Sequence, residues 1–253
     1  MTVAASILRE LRAAATPEKA AELPRFFKTG PGEYGEGDRF LGVMVPQIRA
    51  VAKAHLDADD ASVKALLASP WHEARECALL LLVERFARAS ESERTAIHRL
   101  YLATAAENRV NNWDLVDLSA PTLVGRYLLD RPRGLLDRLA RRPSLWENRI
   151  AVVSTLAFIR RGELDEPFRQ CVAALGHPHD LMHKAVGWML RECGKKDAAA
   201  LRGFLGEHIS AIHPTALRYA IERFPPAERA EWLSRRRAAR KAGCTSCHAA
   251  ARD

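Results

Sequence analysis

The stretch "NNWDLVDLSAP", residues 111–121, places two amides, a tryptophan and two carboxylates within seven positions, shortly before a proline. If Asn112 caps a helix, Trp113 and Asp117 stand one turn apart on the same face. Such a pair sets an aromatic face beside an acid, which suits an electron-poor or cationic partner. The plainer alternative is a half-buried anchor next to a surface carboxylate, with Asp114 answering the positive end of the helix. Two other positions bear on the choice. Arg149 lies at the edge of the apolar run "RIAVVSTLAFIRR", where a charge needs a partner or an anion. Trp188 follows Gly187 in mid-helix, and a glycine there costs about 1 kcal/mol relative to alanine. Gly187 would let another backbone, or a ligand, come close. Arg149 could instead pair with Glu147, and Trp188 could simply fill core.

These residues need helices to position them, and helical periodicity dominates the chain. Leu79, Leu82, Val83 and Phe86 fall at i, i+3, i+4 and i+7. "ENRIAVVSTLAFIRRGE" is apolar nearly all round, as in a buried helix, and "HDLMHKAVGWMLRECGKKD" reads the same way, with Gly194 as its expected stop. No alternating strand pairs and no Asn-Gly or Asp-Gly hairpin turns occur. Breaks fall near Pro46, Pro70, Asn111, Pro132, Pro143, Pro178, Pro214 and Pro225. Helix pairs returning every roughly 35–40 residues predict an all-α, HEAT-like helical repeat solenoid, a curved α-α superhelix. One repeat domain is expected over 1–235, followed by a basic, flexible tail over 236–253 that includes "SRRRAARKAG". Residues 26–49 hold five glycines and two prolines and cannot be helical throughout, so they form either a solvated loop or one that approaches a ligand, with Pro46 opening the next helix.

The 253 residues are 48% hydrophobic and 28% charged, an ordinary globular balance, with a formal net charge of +8. That excess points to a polyanion, nucleic acid before a membrane surface. No apolar run reaches 18 residues, and the N-terminus reads as an amphipathic helix rather than a signal segment, so a cytoplasmic protein is expected. Five scattered cysteines suit reduced thiols. "CTSCH" at 244–248 matches a haem-attachment pattern, and a zinc clip is a further option, but an unstructured tail is expected. His177, His179 and His183 are expected to be ordinary histidines at a helix start, without a metal.

"NNWDLVDLSAPTLVGRYL", "NRIAVVSTLAFIRRGE", "MHKAVGWMLRECGKKD" and "FFKTGPGEYGEGDRFLGVMVPQIRAVAK" together resemble the DNA alkylation repair family of AlkC/AlkD type, in order across roughly residues 20–235. The resemblance implies an alkylpurine DNA glycosylase that hydrolyses the N-glycosidic bond of cationic N3- or N7-alkylated purines in duplex DNA. It places the catalytic aspartate on Asp117, lesion- or deoxyribose-contacting tryptophans on Trp113 and Trp188, and a phosphate contact on Arg149. Relatives lacking the acid and aromatic pair look like DNA binders without catalysis, which is the alternative here. The chemistry suits these residue types. As the bond breaks the sugar becomes oxocarbenium-like, and a fixed carboxylate stabilises it. Tryptophan faces favour a cation. Lys184, Arg191, Lys195, Lys196 and Arg218 are further candidate phosphate contacts, each also readable as part of a solvated helix face. No cofactor is expected, and a monomer acting on double-stranded DNA is.

Overall fold

The computed structural model describes the backbone of residues 2–249 and the side chains of residues 2–240. It divides into two compact units, one running to Arg131 and the other starting at Pro132. Helices account for nearly all of the regular structure. Among the described residues the sole β feature is an isolated bridge between Arg39 and Trp71. The fold is all-α, as the periodicity predicts, and suits a helical repeat. No described helix is long and apolar enough to cross a membrane.

The first unit contains α1 (Val3–Ala13), α2 (Pro17–Phe26), α3 (Val45–Ala54), α4 (Asp60–Leu67), α5 (His72–Arg88), α6 (Glu91–Ala106) and α7 (Trp113–Ala120). The N-terminal segment, expected as one helix, is two. Thr16 is extended, and Pro17 restarts the chain in the first turn of α2. α5 is the centre of this unit. It packs on α3, α4 and α7, and Leu79, Leu80, Leu81 and Leu82 are fully buried, with Phe86 nearly so. α6 starts with a capping box, in which Ser90 accepts from the Glu93 N–H and Glu93 accepts from the Ser90 N–H. At the far end of α7, Pro121 has no N–H to give, and the chain widens into a π-helical segment, Pro121–Arg126.

The second unit contains α8 (Gly134–Ala140), α9 (Leu145–Ser154), α10 (Leu156–Arg161), α11 (Asp165–Ala174), α12 (Asp180–Lys196), α13 (Ala198–His208), α14 (Pro214–Ala220) and α15 (Pro226–Ala249). The single apolar helix expected from Arg149 to Arg161 is interrupted at Thr155, whose hydroxyl donates to the Val152 carbonyl at 2.6 Å. α10 then ends on Gly162 in the left-handed conformation. Gly194 does not stop α12, which continues to Lys196. A side chain at 194 would meet Leu201 of α13 at 2.4 Å, so the glycine is a packing contact. Gly187 also serves packing: a Cβ there would lie 2.5 Å from the Ala216 carbonyl oxygen and from Tyr219. The close neighbour anticipated at Gly187 is thus the backbone of α14. The tail expected from residue 236 begins inside α15, and Cys244, Cys247 and His248 lie outside the residues whose side chains are described.

Candidate active site

Asn112 extends its backbone and accepts the Trp113 N–H on its side-chain oxygen at 2.9 Å, which starts α7 where the sequence predicts. Trp113 and Asp117 then share one face of the helix, and both are half-buried. The opposite side of α7 is fixed in the core. The Ser119 hydroxyl donates to the Leu115 carbonyl at 2.5 Å and lies 3.0 Å from the Tyr101 hydroxyl. Burial, and beyond it the negative charge of Asp117, holds the Tyr101 phenol un-ionised, while the Ser119 bond opposes both.

The Trp113 ring rests on an aromatic stack. It lies flat against Phe27 at 5.6 Å, and Phe27 in turn lies flat against Phe40 at 5.1 Å. Phe26 meets Trp113 edge-on at 5.7 Å and is 61% exposed. Phe27 and Phe40 belong to the irregular segment between α2 and α3, so that segment is a docked support for Trp113. The segment is anchored through its backbone. The Glu73 carboxylate, buried at the start of α5, accepts the backbone N–H groups of Leu41, Gly42 and Val43 at 2.9, 2.8 and 3.3 Å. Gly42 has φ +91° and sits 2.3 Å, by its absent Cβ, from the Thr16 carbonyl oxygen, so only glycine fits there.

Beneath Trp113 lies a buried charge network that sequence reasoning missed. His72 Nδ1 is 3.1 Å from Asp38 Oδ2, and its Nε2 is 2.7 Å from Asp114 Oδ2. Arg75 Nη2 donates to Asp38 Oδ1 at 2.6 Å, and the Asn111 amide donates to the same oxygen at 3.1 Å. Burial alone would lower the His72 imidazole. Asp114 and Asp38 outweigh it and push the group up to about 10, so His72 is an imidazolium when it carries only protons. For Asp38, burial is likewise outweighed, by His72 and Arg75, and its carboxyl falls below the usual range. Glu76 is pushed up to about 8, by burial first and by Asp114 second. Asp114 thus does more than answer the helix end: it ties the first turn of α7 to α5. The signal available in sequence was the density of ionisable groups in "HEARE", 72–76, immediately before an apolar run.

In the second unit Trp188 is half-buried on α12. It lines an open hollow of about 510 Å³ with Leu156, Ile159, Arg160, Glu192, Lys195 and Lys196. Arg149 is elsewhere in this unit, only 4% exposed, and its Nη1 donates to the Leu181 carbonyl at 2.5 Å, at the start of α12. Its observed work is to hold that helix start. Among the remaining basic candidates, Lys184 pairs with Asp180 at 2.8 Å, Lys195 with Glu192 at 2.7 Å, and Arg191 with Glu222. Lys196 and Arg218 are exposed, as is Arg160, and none of these three pairs with a carboxylate among the described residues. His177 and His183 are held locally: His177 Nε2 is 3.2 Å from Asn148 Oδ1, and His183 Nε2 is 2.7 Å from the His177 carbonyl.

The profile of a family described as DNA alkylation repair enzyme matches residues 7–224. Among solved structures, one described as a predicted DNA alkylation repair enzyme from Enterococcus faecalis is similar at a TM-score of 0.64 and 19% identity, over 84% of this chain and 97% of that one. That likeness concerns the fold. No curated protein matches. With a match spanning nearly the whole helical array, the chain belongs to the DNA alkylation repair enzyme family.

Proposed function

We propose that this protein is an alkylpurine DNA glycosylase, hydrolysing the N-glycosidic bond of N3- or N7-alkylated purines in duplex DNA. The observation that supports this most strongly is the half-buried face of α7 that carries Trp113 and Asp117. There Trp113 is braced from behind by Phe27 and Phe40, and Asp117 stands one turn further along the same face. A braced indole presents a fixed negative face to a cationic base or an electron-poor sugar. Asp117, ionised, stabilises positive charge as it develops on C1′ and orients the attacking water. The base leaves as a neutral purine because its alkyl group has already supplied the positive charge, so neither a general acid nor a cofactor is required.

Trp188 is the second unit's candidate contact to the lesion nucleotide. In this reading its exposed neighbours Arg160 and Lys196, with Arg218 on α14, meet phosphates, whereas Arg149 orders the start of α12. The test is incubation with a duplex containing N7-methylguanine, followed by chromatography of the free base. Release that fails in Asp117→Asn supports the glycosylase. Tight binding of the duplex without release would instead make the protein a non-catalytic reader of damaged or branched DNA.

A further inference from the structure

The charge network under Trp113 brings three carboxyl groups, an imidazole and one guanidinium together. Asp38, Glu76 and Asp114 contribute three carboxyl groups, and Arg75 contributes one permanent positive charge, in contact with Asp38. Glu73 is already committed to three backbone N–H groups, and Arg49, which faces Glu76 electrostatically, is exposed. Glu76 is 3% exposed, and its carboxylate accepts no hydrogen bond from any described residue. A buried carboxyl group without a hydrogen-bond donor either keeps its proton or meets a cation. One oxygen of Glu76, one of Asp114 and a ring nitrogen of His72 lie within 4.8 Å of one another.

We propose that His72, Glu76 and Asp114 form a buried site for one divalent transition-metal ion, with zinc as the best match, which bolts α5 to the first turn of α7. The ligand atom of His72 is Nε2, which faces Asp114, since Nδ1 faces Asp38. The ion takes the place of the proton on Nε2. Asp38 then does what a carboxylate behind a metal-bound histidine does: it accepts the Nδ1–H and fixes the ring, itself held by Arg75 and Asn111. Ligand distances of about 2.0–2.2 Å set tetrahedral donor atoms about 3.3 Å apart, so His72 Nε2 and Asp114 Oδ2, now 2.7 Å apart, part slightly while the Glu76 carboxylate swings in. One imidazole and two carboxylates, with a water as fourth ligand, suit zinc better than magnesium, which keeps a shell of waters that a buried site does not accommodate. The role is structural. The ion holds the helix that presents Trp113 and Asp117 and takes no part in the hydrolysis.

The experiment uses the full chain carrying Cys244→Ser and Cys247→Ser, because those thiols would bind zinc themselves. The protein is stripped with a chelator, then titrated with zinc against a chromophoric competitor, and separately with cobalt. One equivalent of zinc per chain is expected, with a cobalt spectrum lacking thiolate charge-transfer bands. Glu76→Gln and Asp114→Asn should each weaken zinc at least about 100-fold, while His183→Asn leaves it unchanged. Absence of stoichiometric uptake, or a Glu76→Gln protein that binds like its parent, overturns the proposal. Should a variant fail to fold, the parent protein decides: its Tm should rise by several degrees with zinc over chelator, and no rise contradicts the site.

Discussion

Glu73 and Trp113 show how much of the candidate site depends on single side chains distant in sequence. Three backbone N–H groups of the segment before α3 end on the Glu73 carboxylate, and among the described residues no other acceptor serves them. Glu73→Ala should therefore destabilise the protein by about 2–3 kcal/mol in urea unfolding and make residues 27–44 sensitive to protease. Glycosylase activity should fall too, because Phe27 and Phe40 no longer brace Trp113. Trp113 and Asp117 were legible in the sequence because a four-residue spacing puts two side chains on one helix face whatever the rest of the fold does. His72 and its partners were not. Asp38 and Asp114 reach it across 34 and 42 residues, and no local periodicity encodes such pairings. Arg149 was legible as a charge in need of a partner, but the sequence could not show that the partner is the Leu181 carbonyl.

Element boundaries show a similar division. The apolar period announced α5, α9 and α12 because their burial is set by pattern. Helix ends depended on neighbours instead. Gly194 reads as a stop, yet Leu201 packs on it and α12 continues. Gly187→Ala should cost about 1–3 kcal/mol by thermal or urea unfolding, since α12 and α14 must separate to admit a methyl group. A wild-type stability there would mean that the two helices lie further apart. The contact between α6 and the π-helical segment makes a pH prediction. His98 is buried, its Nδ1 is 2.8 Å from the Leu123 carbonyl, and its ring stacks on Tyr127. Burial lowers its pKa, the Leu123 bond opposes this, and Arg99 adds to the lowering. The unfolded chain therefore takes up a proton near pH 6.5 that the folded chain refuses until lower pH. Stability from this group is full above about 6.5 and is lost as pH falls through the folded value. Urea midpoints at pH 7.5 and 5.5 should differ more for the parent protein than for His98→Gln, and an equal difference contradicts the assignment.

For the molecule as a whole, the net charge of +8 is a statement about partners. Membership of the DNA alkylation repair family makes that partner DNA. Affinity that rests on phosphates falls with salt, with a slope of log K against log salt near −0.9 per phosphate contact. Arg160→Ala, Lys196→Ala and Arg218→Ala should each reduce that slope by about one and weaken alkylated and undamaged duplex alike. Lys184→Ala, Lys195→Ala and Arg191→Ala should change it less, because an acid already holds each of those cations. The all-α class was readable from the sequence, since it follows from periodicity summed over the chain. The division into two compact units was not, because such a boundary is a property of contacts rather than composition.

In the proposed reaction Asp117 stabilises positive charge on the sugar during bond cleavage. Single-turnover rates of base release from an N7-methylguanine duplex, with the dissociation constant measured on the same preparations, test it most directly. Asp117→Asn should slow release by about 100- to 1,000-fold and leave duplex affinity within about twofold. An Asp117→Asn protein that releases the base at the parent rate would contradict it.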